Sequence, residues 1–127
     1  MKAEELKYTK DHIWVHADGE DAVVGLSDYA QNELGDIVFV EMPEAGKSFK
    51  KGDTLGTVES VKSVSDILSP LSGEITDFNK LLEDAPETIN KDPYGEGWVV
   101  KMSIANKDEL GELLDYTAYI EFTESEM

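Results

Sequence analysis

The 127-residue sequence contains no cysteine and no arginine. Without cysteine it cannot encode a disulfide, a zinc-thiolate site or a cysteine nucleophile. All 11 basic residues are lysines, so no guanidinium group is available to grip phosphate or carboxylate in two-point geometry. This composition disfavours a self-contained phosphoryl-transfer enzyme.

Long apolar segments are also missing. No run of 18 apolar residues occurs, and the N-terminus shows neither a secretory signal nor an Arg-rich transit segment. We therefore expect a cytoplasmic protein, although a mature organellar chain would look the same. The 28 acidic residues give a formal net charge of -17, which opposes binding to nucleic acid or anionic membranes and favours partners with basic docking surfaces.

What the sequence does contain is a series of short β-favouring segments separated by turn residues. This pattern predicts one mainly β domain over residues 1–127, with a few short helices and a core at about 8–104, arranged as a flattened barrel or a sandwich of two sheets. The predicted strands comprise a hairpin within 12–26 that turns at Asp18-Gly19, a buried strand within 35–42, and strands at 55–60, 64–68, 71–78 and 97–104.

Helix signals are fewer. Ser27 or Asp28 can cap a short helix that ends at Gly35. The spacing from Asn106 to Glu109 predicts the start of a C-terminal helix over about 107–122, with frayed residues from 123 onward. Leu110, Leu113 and Leu114 would share the buried face of that helix. Residues 81–94 are expected to form an irregular connection with at most one helical turn, tethered by Ile89 or Tyr94.

Lys62 lies between the predicted strands 55–60 and 64–68. The tight break between them would hold Lys62 out from a hairpin tip, where another enzyme could reach it. A lysine in such a place can equally be a solvated charge that keeps a sheet edge soluble. The hairpin alone leaves both interpretations open.

Independent catalysis lacks its usual residues. The sequence has no Gly-x-Ser-x-Gly elbow and no glycine-rich phosphate loop. His12 and His16 would stand roughly 13 Å apart along a strand, too far to share a metal ion. Close carboxylates such as Glu83 and Asp84 are expected by chance in so acidic a chain. We predict that the protein is not an enzyme and holds no metal.

Motifs along nearly the whole chain resemble one family, the lipoyl-carrying H-protein of the glycine cleavage system. The most specific is Glu-Ser-Val-Lys at residues 59–62, followed by Ser69-Pro70. Biotin carriers usually flank their lysine with methionines, and the lipoyl domains of 2-oxo acid dehydrogenases more often place aspartate before it. The other matching segments are residues 8–12, 14–15, 29–31, 34–46, 73–74, 90, 92–94 and 97–98.

The resemblance implies a lipoyl- and biotinyl-carrier-like fold with lipoate attached to Lys62 as N6-lipoyllysine. The cofactor would then carry the chemistry. Its arm would accept an aminomethyl group at a pyridoxal-phosphate glycine decarboxylase and deliver it to a tetrahydrofolate-dependent aminomethyltransferase. A flavin- and NAD-dependent dihydrolipoamide dehydrogenase would reoxidise it, and a lipoate ligase or an octanoyl or lipoyl transferase would attach it.

The family also rests the loaded arm in a surface cleft. By resemblance, Glu59, Asp66 and His12 are the further candidate cofactor-binding residues. Members commonly have glutamate after the histidine that matches His12, whereas this chain has Ile13. Isoleucine cannot accept a hydrogen bond, so we expect weaker protection of the aminomethyl group unless another acid compensates, and slower loss of that group in Ile13→Glu. Ser63, where alanine is common, should be tolerated.

Two alternatives remain at this point. The protein could chiefly pass lipoyl groups to other lipoyl domains through a transferase. It could also be a small all-β binding module in which Lys62 stays a free surface charge.

Overall fold

The computed structural model describes residues 2–126. Within that range the nine strands, β1 to β9 in chain order, are Lys7–Tyr8, Ile13–Asp18, Asp21–Leu26, Ile37–Glu41, Ser48–Phe49, Thr54–Ser60, Val64–Leu68, Gly73–Phe78 and Val100–Ser103. The four α-helices, α1 to α4, are Asp28–Leu34, Leu81–Asp84, Thr88–Lys91 and Tyr116–Glu126. Two 3-10 helices span Ala3–Glu5 and Lys107–Glu112. No helix in residues 2–126 is long and apolar enough to span a membrane.

The strands form two antiparallel sheets. One has six strands in the order β1-β2-β3-β9-β8-β5, and the other has three in the order β4-β6-β7. A core of aliphatic side chains lies between the layers, including Val24, Val58 and Ile75, each at most 1% exposed. The expected mainly β fold of two sheets with short helices and a C-terminal helix is confirmed.

A second apolar cluster anchors the C-terminal helix. Tyr8 and Trp14 are fully buried, and Tyr119 of α4 is 2% exposed. The rings of Tyr8 and Tyr119 stack with centroids 4.3 Å apart. The apolar side chains of α4 are not concentrated on one face. Burial of these aromatic rings explains how the helix is nevertheless held against the sheet.

The C-terminal boundaries differ from the sequence prediction of one helix over about 107–122. Residues 107–112 form a 3-10 helix, and α4 begins only at Tyr116. Asn106 caps the 3-10 helix by accepting from the Asp108 amide, but the Glu109 carboxylate accepts instead from the amide and hydroxyl of Ser72, at 2.8 and 2.9 Å. The expected fraying is wrong up to Glu126, because α4 continues there and buries Thr123; Met127 lies outside the described residues.

Two smaller expectations also need correction. Residues 81–94 contain two helical turns, α2 and α3, and Ile89 is fully buried as the expected tether. Strand β4 is only partly buried, since Val38 and Phe39 are 48% and 54% exposed. A bulge between positions 37 and 39 of this edge strand breaks the alternation of faces and turns both side chains outward.

Helix α1 follows the sequence signals closely. The Ser27 hydroxyl accepts from the Ala30 amide at 3.1 Å, which makes Ser27 the N-cap. Gly35 ends the helix with φ +79°, a conformation that side chains rarely adopt. The end of α1 is thereby fixed directly beneath the hairpin that carries Lys62.

Candidate functional site

The hairpin of β6 and β7 presents Lys62 at its tip. Strand β6 pairs with β7 through Glu59 opposite Val64. The Ser60 amide donates to the Ser63 carbonyl at 2.8 Å, leaving Val61 and Lys62 as a two-residue loop. Lys62 is exposed, and among residues 2–126 its ammonium group has no ion-pair partner. The tip therefore offers an unpaired amine on a fixed backbone.

Ser60 organises the tip, although sequence reasoning did not single it out. Its side chain is 6% exposed. Its hydroxyl oxygen accepts from the amides of Lys62 and Ser63, at 3.2 and 3.1 Å. Hydroxyl-to-backbone bonds of this kind stabilise tight turns, and a serine two residues before the lysine is the signal that could have identified it.

The hairpin also touches the body of the protein. The Val61 amide donates to the Asp36 carbonyl at 3.0 Å. A Cβ atom built on Gly35 would lie 3.3 Å from Lys62 Cε, so the lysine stem rests over the bare Gly35 backbone. Gly35 follows Leu34, which lines a neighbouring cleft, and this adjacency places the lysine beside that cleft.

The cleft is a surface cavity of about 300 Å³ between α1, β7 and the end of α4. Its apolar wall comes from Leu26, Ala30, Leu34 and Val58. Its polar lining contains four carboxylates and a histidine, contributed by Asp11, Glu33, Asp66, Glu126 and His12. A cavity with an apolar wall and an acidic rim suits an apolar chain that carries a cationic end.

His12 and Asp66, two of the cofactor-binding candidates taken from the resemblance, both line this cleft. Glu59 does not line it and is exposed where it pairs with Phe39 and Val64. Ile13 is 1% exposed and belongs to the core. His16 lies in a different surface cavity with Asp18 and Asp21, so the structure does not bring the two histidines together.

The C-terminal helix fixes His12. His12 adopts φ +68°, a left-handed conformation in which histidine is enriched among non-glycine residues. Its Nδ1 lies 2.8 Å from the Tyr119 hydroxyl, which is 2.7 Å from the Ser27 hydroxyl. Its Nε2 lies 3.3 Å from a carboxylate oxygen of Glu126. Both ring nitrogens are thus engaged by α4.

Aromatic and acidic groups at the rim influence one another. The Tyr29 ring lies 4.6 Å from the His12 ring, centroid to centroid. The pKa of Tyr29 is raised by loss of water around its hydroxyl and by the carboxylates of Glu33 and Glu126. Tyr29, Glu33 and Glu126 were not expected in the site; Glu126 falls in the segment for which the sequence predicted fraying.

Comparison with known proteins gives a consistent result. The sequence model of the "Glycine cleavage H-protein" family matches residues 6–126. The chain belongs to the glycine cleavage H-protein family. It is 56% identical to a glycine cleavage system H protein from Herpetosiphon aurantiacus over 117 residues, which cover 91% of each chain. It is 49% identical to the corresponding Thermotoga maritima protein over 120 residues, covering 94% of this chain and 97% of the relative.

A solved structure of the same family extends the likeness to three dimensions. The crystal structure of a glycine cleavage system H protein from Mycobacterium marinum superposes with a TM-score of 0.83 at 37% sequence identity, covering 97% of both chains. The described elements, from the N-terminal 3-10 helix to α4, therefore belong to the H-protein fold.

Proposed function

We propose that this H-protein family member is a non-enzymatic lipoyl carrier of the glycine cleavage system, with lipoate joined to Lys62 by an amide. The observation that carries the proposal is the unpaired Lys62 amine on a two-residue hairpin loop, beside a cleft with an apolar wall and an acidic rim. Exposure of Lys62 suits modification by another protein, namely a lipoate ligase or an octanoyl or lipoyl transferase.

The residues present fit the cofactor. The apolar wall of Leu26, Leu34 and Val58 can cover the hydrocarbon part of a lipoyl arm, and the carboxylates at the rim can balance an amine at its end. When bound, lipoate would supply a disulfide whose opening takes up the aminomethyl group and whose reduced dithiol form is oxidised back after the group leaves. The chain's own part is to present the arm, to shelter its end from water and to offer Asp66 as an acceptor in the cleft.

Three enzymes are proposed to share this carrier: glycine decarboxylase, the tetrahydrofolate-dependent aminomethyltransferase and dihydrolipoamide dehydrogenase. The formal charge of -17 supports docking to basic surfaces on each. The exposed apolar side chains Val61 and Val64 flank Lys62, at 67% and 63% exposure, and can contact whichever enzyme receives the arm. We place this exchange in the cytoplasm.

Peptide mass analysis tests the attachment site. Protein made in a lipoate-competent host should carry lipoyl on Lys62, and Lys62→Ala should carry none. Lys50→Ala, which removes an exposed turn lysine elsewhere, is the matched control and should be modified fully. An unmodified Lys62 in the wild-type protein would favour an unmodified binding module.

Glycine-dependent exchange of labelled bicarbonate tests the pathway. The lipoylated protein with glycine decarboxylase should support exchange, and the Lys62→Ala protein should not. Lipoylation without exchange would instead favour a protein that relays lipoyl groups to other lipoyl domains.

A further inference from the structure

The backbone that links α1 to β4 supports the hairpin tip. Residues 35–37, named here the seat, contact the tip at two points. The Asp36 carbonyl accepts from the Val61 amide, and the Gly35 backbone carries the Lys62 stem. Apart from its own strands and the pairing of Ser60 in β6 with Ile37 in β4, the tip has little other support, because Val61 and Val64 are mostly exposed. The direction of the Lys62 side chain therefore depends on the position of the seat.

Asn90 of α3 fixes the seat from below. Its Oδ1 accepts from the Ile37 amide at 3.0 Å. Its Nδ2 donates to the Gly35 carbonyl at 2.9 Å and to Gln31 Oε1 at 3.0 Å. Both amide hydrogens and the carbonyl oxygen of Asn90 are thus used. One side chain joins the last turn of α1, the start of β4 and α3.

Asn90 also stands on a rigid base. Its neighbour Ile89 is fully buried in the main core. Gln31, which receives one of its bonds, is 8% exposed and donates in turn to Asp28 at 2.8 Å. Ile37 is itself buried in the core and pairs with Ser60 of β6, so the strand end of the seat has support of its own. Asn90 adds the side-chain hydrogen bonds that hold the Gly35 end, and removing it loosens the backbone beneath Lys62 while leaving the strands of the hairpin paired.

We propose that Asn90 is a positioning residue for acylation of Lys62, acting through the seat; this inference rests on the proposed lipoyl attachment. In that reaction Nζ attacks the carbonyl of an activated lipoyl group. The new amide bond forms, the nitrogen loses a proton and the activating group leaves. The attack requires Nζ to meet the carbonyl at a defined distance and direction, and the two hydrogen bonds by which Asn90 holds the seat maintain that geometry.

The structure provides a matched control in Asn79. Its Nδ2 donates to the Glu96 and Trp98 carbonyls, both at 2.7 Å, and its Oδ1 accepts from the Leu81 amide at 3.2 Å. Asn79→Ala and Asn90→Ala therefore each remove two donated bonds and one accepted bond. Only Asn90 is connected to the seat, so any difference between the variants in acylation reports on positioning.

The experiment measures acylation with lipoate, ATP and a lipoate ligase, below the melting temperature of every variant. For Asn90→Ala we expect kcat to fall about 10-fold or more while KM stays within about twofold, because docking is retained and alignment is lost. Asn79→Ala should stay within about twofold of the wild type in both parameters. Equal losses in the two variants, or a wild-type kcat for Asn90→Ala, would overturn the proposal.

A second pair of variants serves if Asn90→Ala does not fold. Gly35→Ala and Gly46→Ala both place a side chain at positive φ, +79° and +95°. The added Cβ lies 3.3 Å from Lys62 Cε in the first and meets nothing within 4 Å in the second. Gly35→Ala should lower kcat as Asn90→Ala does, and Gly46→Ala should not. Similar kcat values for the two glycine variants would contradict a role for the seat.

Amide hydrogen exchange separates this inference from the proposed function. The Val61 amide, which is bonded to Asp36, should exchange faster in Asn90→Ala than in the wild type and Asn79→Ala. This readout needs no lipoate. If wild-type Lys62 is not acylated, the proposed function fails, but exchange at Val61 still decides whether Asn90 holds the tip. Unchanged exchange of the Val61 amide in Asn90→Ala would refute the role of Asn90 in supporting the tip through the seat.

Discussion

Substitution of Tyr119 by phenylalanine tests how the C-terminal helix is attached. Tyr119→Phe keeps the ring stacked on Tyr8 but deletes the hydroxyl that bonds His12 and Ser27. Each lost hydrogen bond costs about 0.5–1.5 kcal/mol, so we expect the free energy of unfolding to fall by about 1–3 kcal/mol. For a chain of 127 residues this corresponds to a melting temperature lower by about 4–12 °C.

The pH dependence supplies a second readout. Burial raises the pKa of Tyr119 above its ordinary value of 10.0. A group whose pKa is raised by folding contributes stability that is complete below its unfolded pKa and is lost as the pH rises toward its folded pKa. Stability of the wild type should therefore decline from about pH 10 upward. The decline of stability with pH should be shallower in Tyr119→Phe, which lacks this titrating hydroxyl. Part of the decline should remain, because burial also raises the pKa of Tyr8.

Urea denaturation followed by circular dichroism, at pH 7 and across pH 9–11, measures both effects. Tyr116→Phe is the control, because this tyrosine lies on the same helix and its hydroxyl has no hydrogen bond among residues 2–126. That variant should change stability by less than about 0.5 kcal/mol. If Tyr119→Phe were as stable as Tyr116→Phe and kept the wild-type alkaline decline, the attachment through His12 and Ser27 would be refuted.

Three further substitutions probe the core, the tip and the cleft. Gly56→Ala should lower the free energy of unfolding by about 1–3 kcal/mol, because the added Cβ would collide with a β4 carbonyl. In Gly111→Ala the added Cβ meets nothing within 4 Å, so urea denaturation should show no change in stability. An equal loss of stability in the two variants would contradict the collision at Gly56. Ser60→Ala should speed exchange of the two tip amides that its hydroxyl holds, and unchanged exchange would remove Ser60 from the turn. Ile13→Glu should lower the free energy of unfolding by about 3 kcal/mol or more at pH 7, because Ile13 is 1% exposed. Val61→Glu, at a position that is 67% exposed, should leave the free energy of unfolding nearly unchanged. The rate at which the aminomethyl group is lost from the loaded protein is then compared between the folded fraction of Ile13→Glu and the wild type. If Ile13→Glu were as stable as the wild type, the introduced carboxylate would have to reach the cleft.

Local signals in the sequence were sufficient for the hairpin and for α1. The β-favouring runs on either side of Lys62 correspond to β6 and β7, and the Ser27 cap and Gly35 stop bound α1 as expected. These features depend on residues close together in the chain, where turn chemistry and capping act directly. The same short-range pattern predicted a mainly β fold, either a flattened barrel or a sandwich of two sheets, and the structure has two sheets.

Long-range contacts explain what the sequence could not indicate. Glu109 has the spacing of a capping box, but its carboxylate bonds Ser72, which is 37 positions away. The last turn of α4 carries acidic residues and no basic one, which the helix dipole disfavours at a C-terminus, and it contacts His12 through Glu126. The cleft joins carboxylates from four separate parts of the chain, so its composition depends on tertiary packing that no periodicity encodes.

The anchored tip has a consequence for how tightly the cleft needs to bind. Because Lys62 rises from a loop pinned at Ser60 and Asp36, an arm attached there pivots about a fixed point beside the cleft. A short tether gives its free end an effective concentration on the order of millimolar. An intrinsic affinity in the millimolar range would then keep the cleft about half occupied. If the proposed carrier function holds, such weak retention would let a partner enzyme withdraw the arm at little energetic cost.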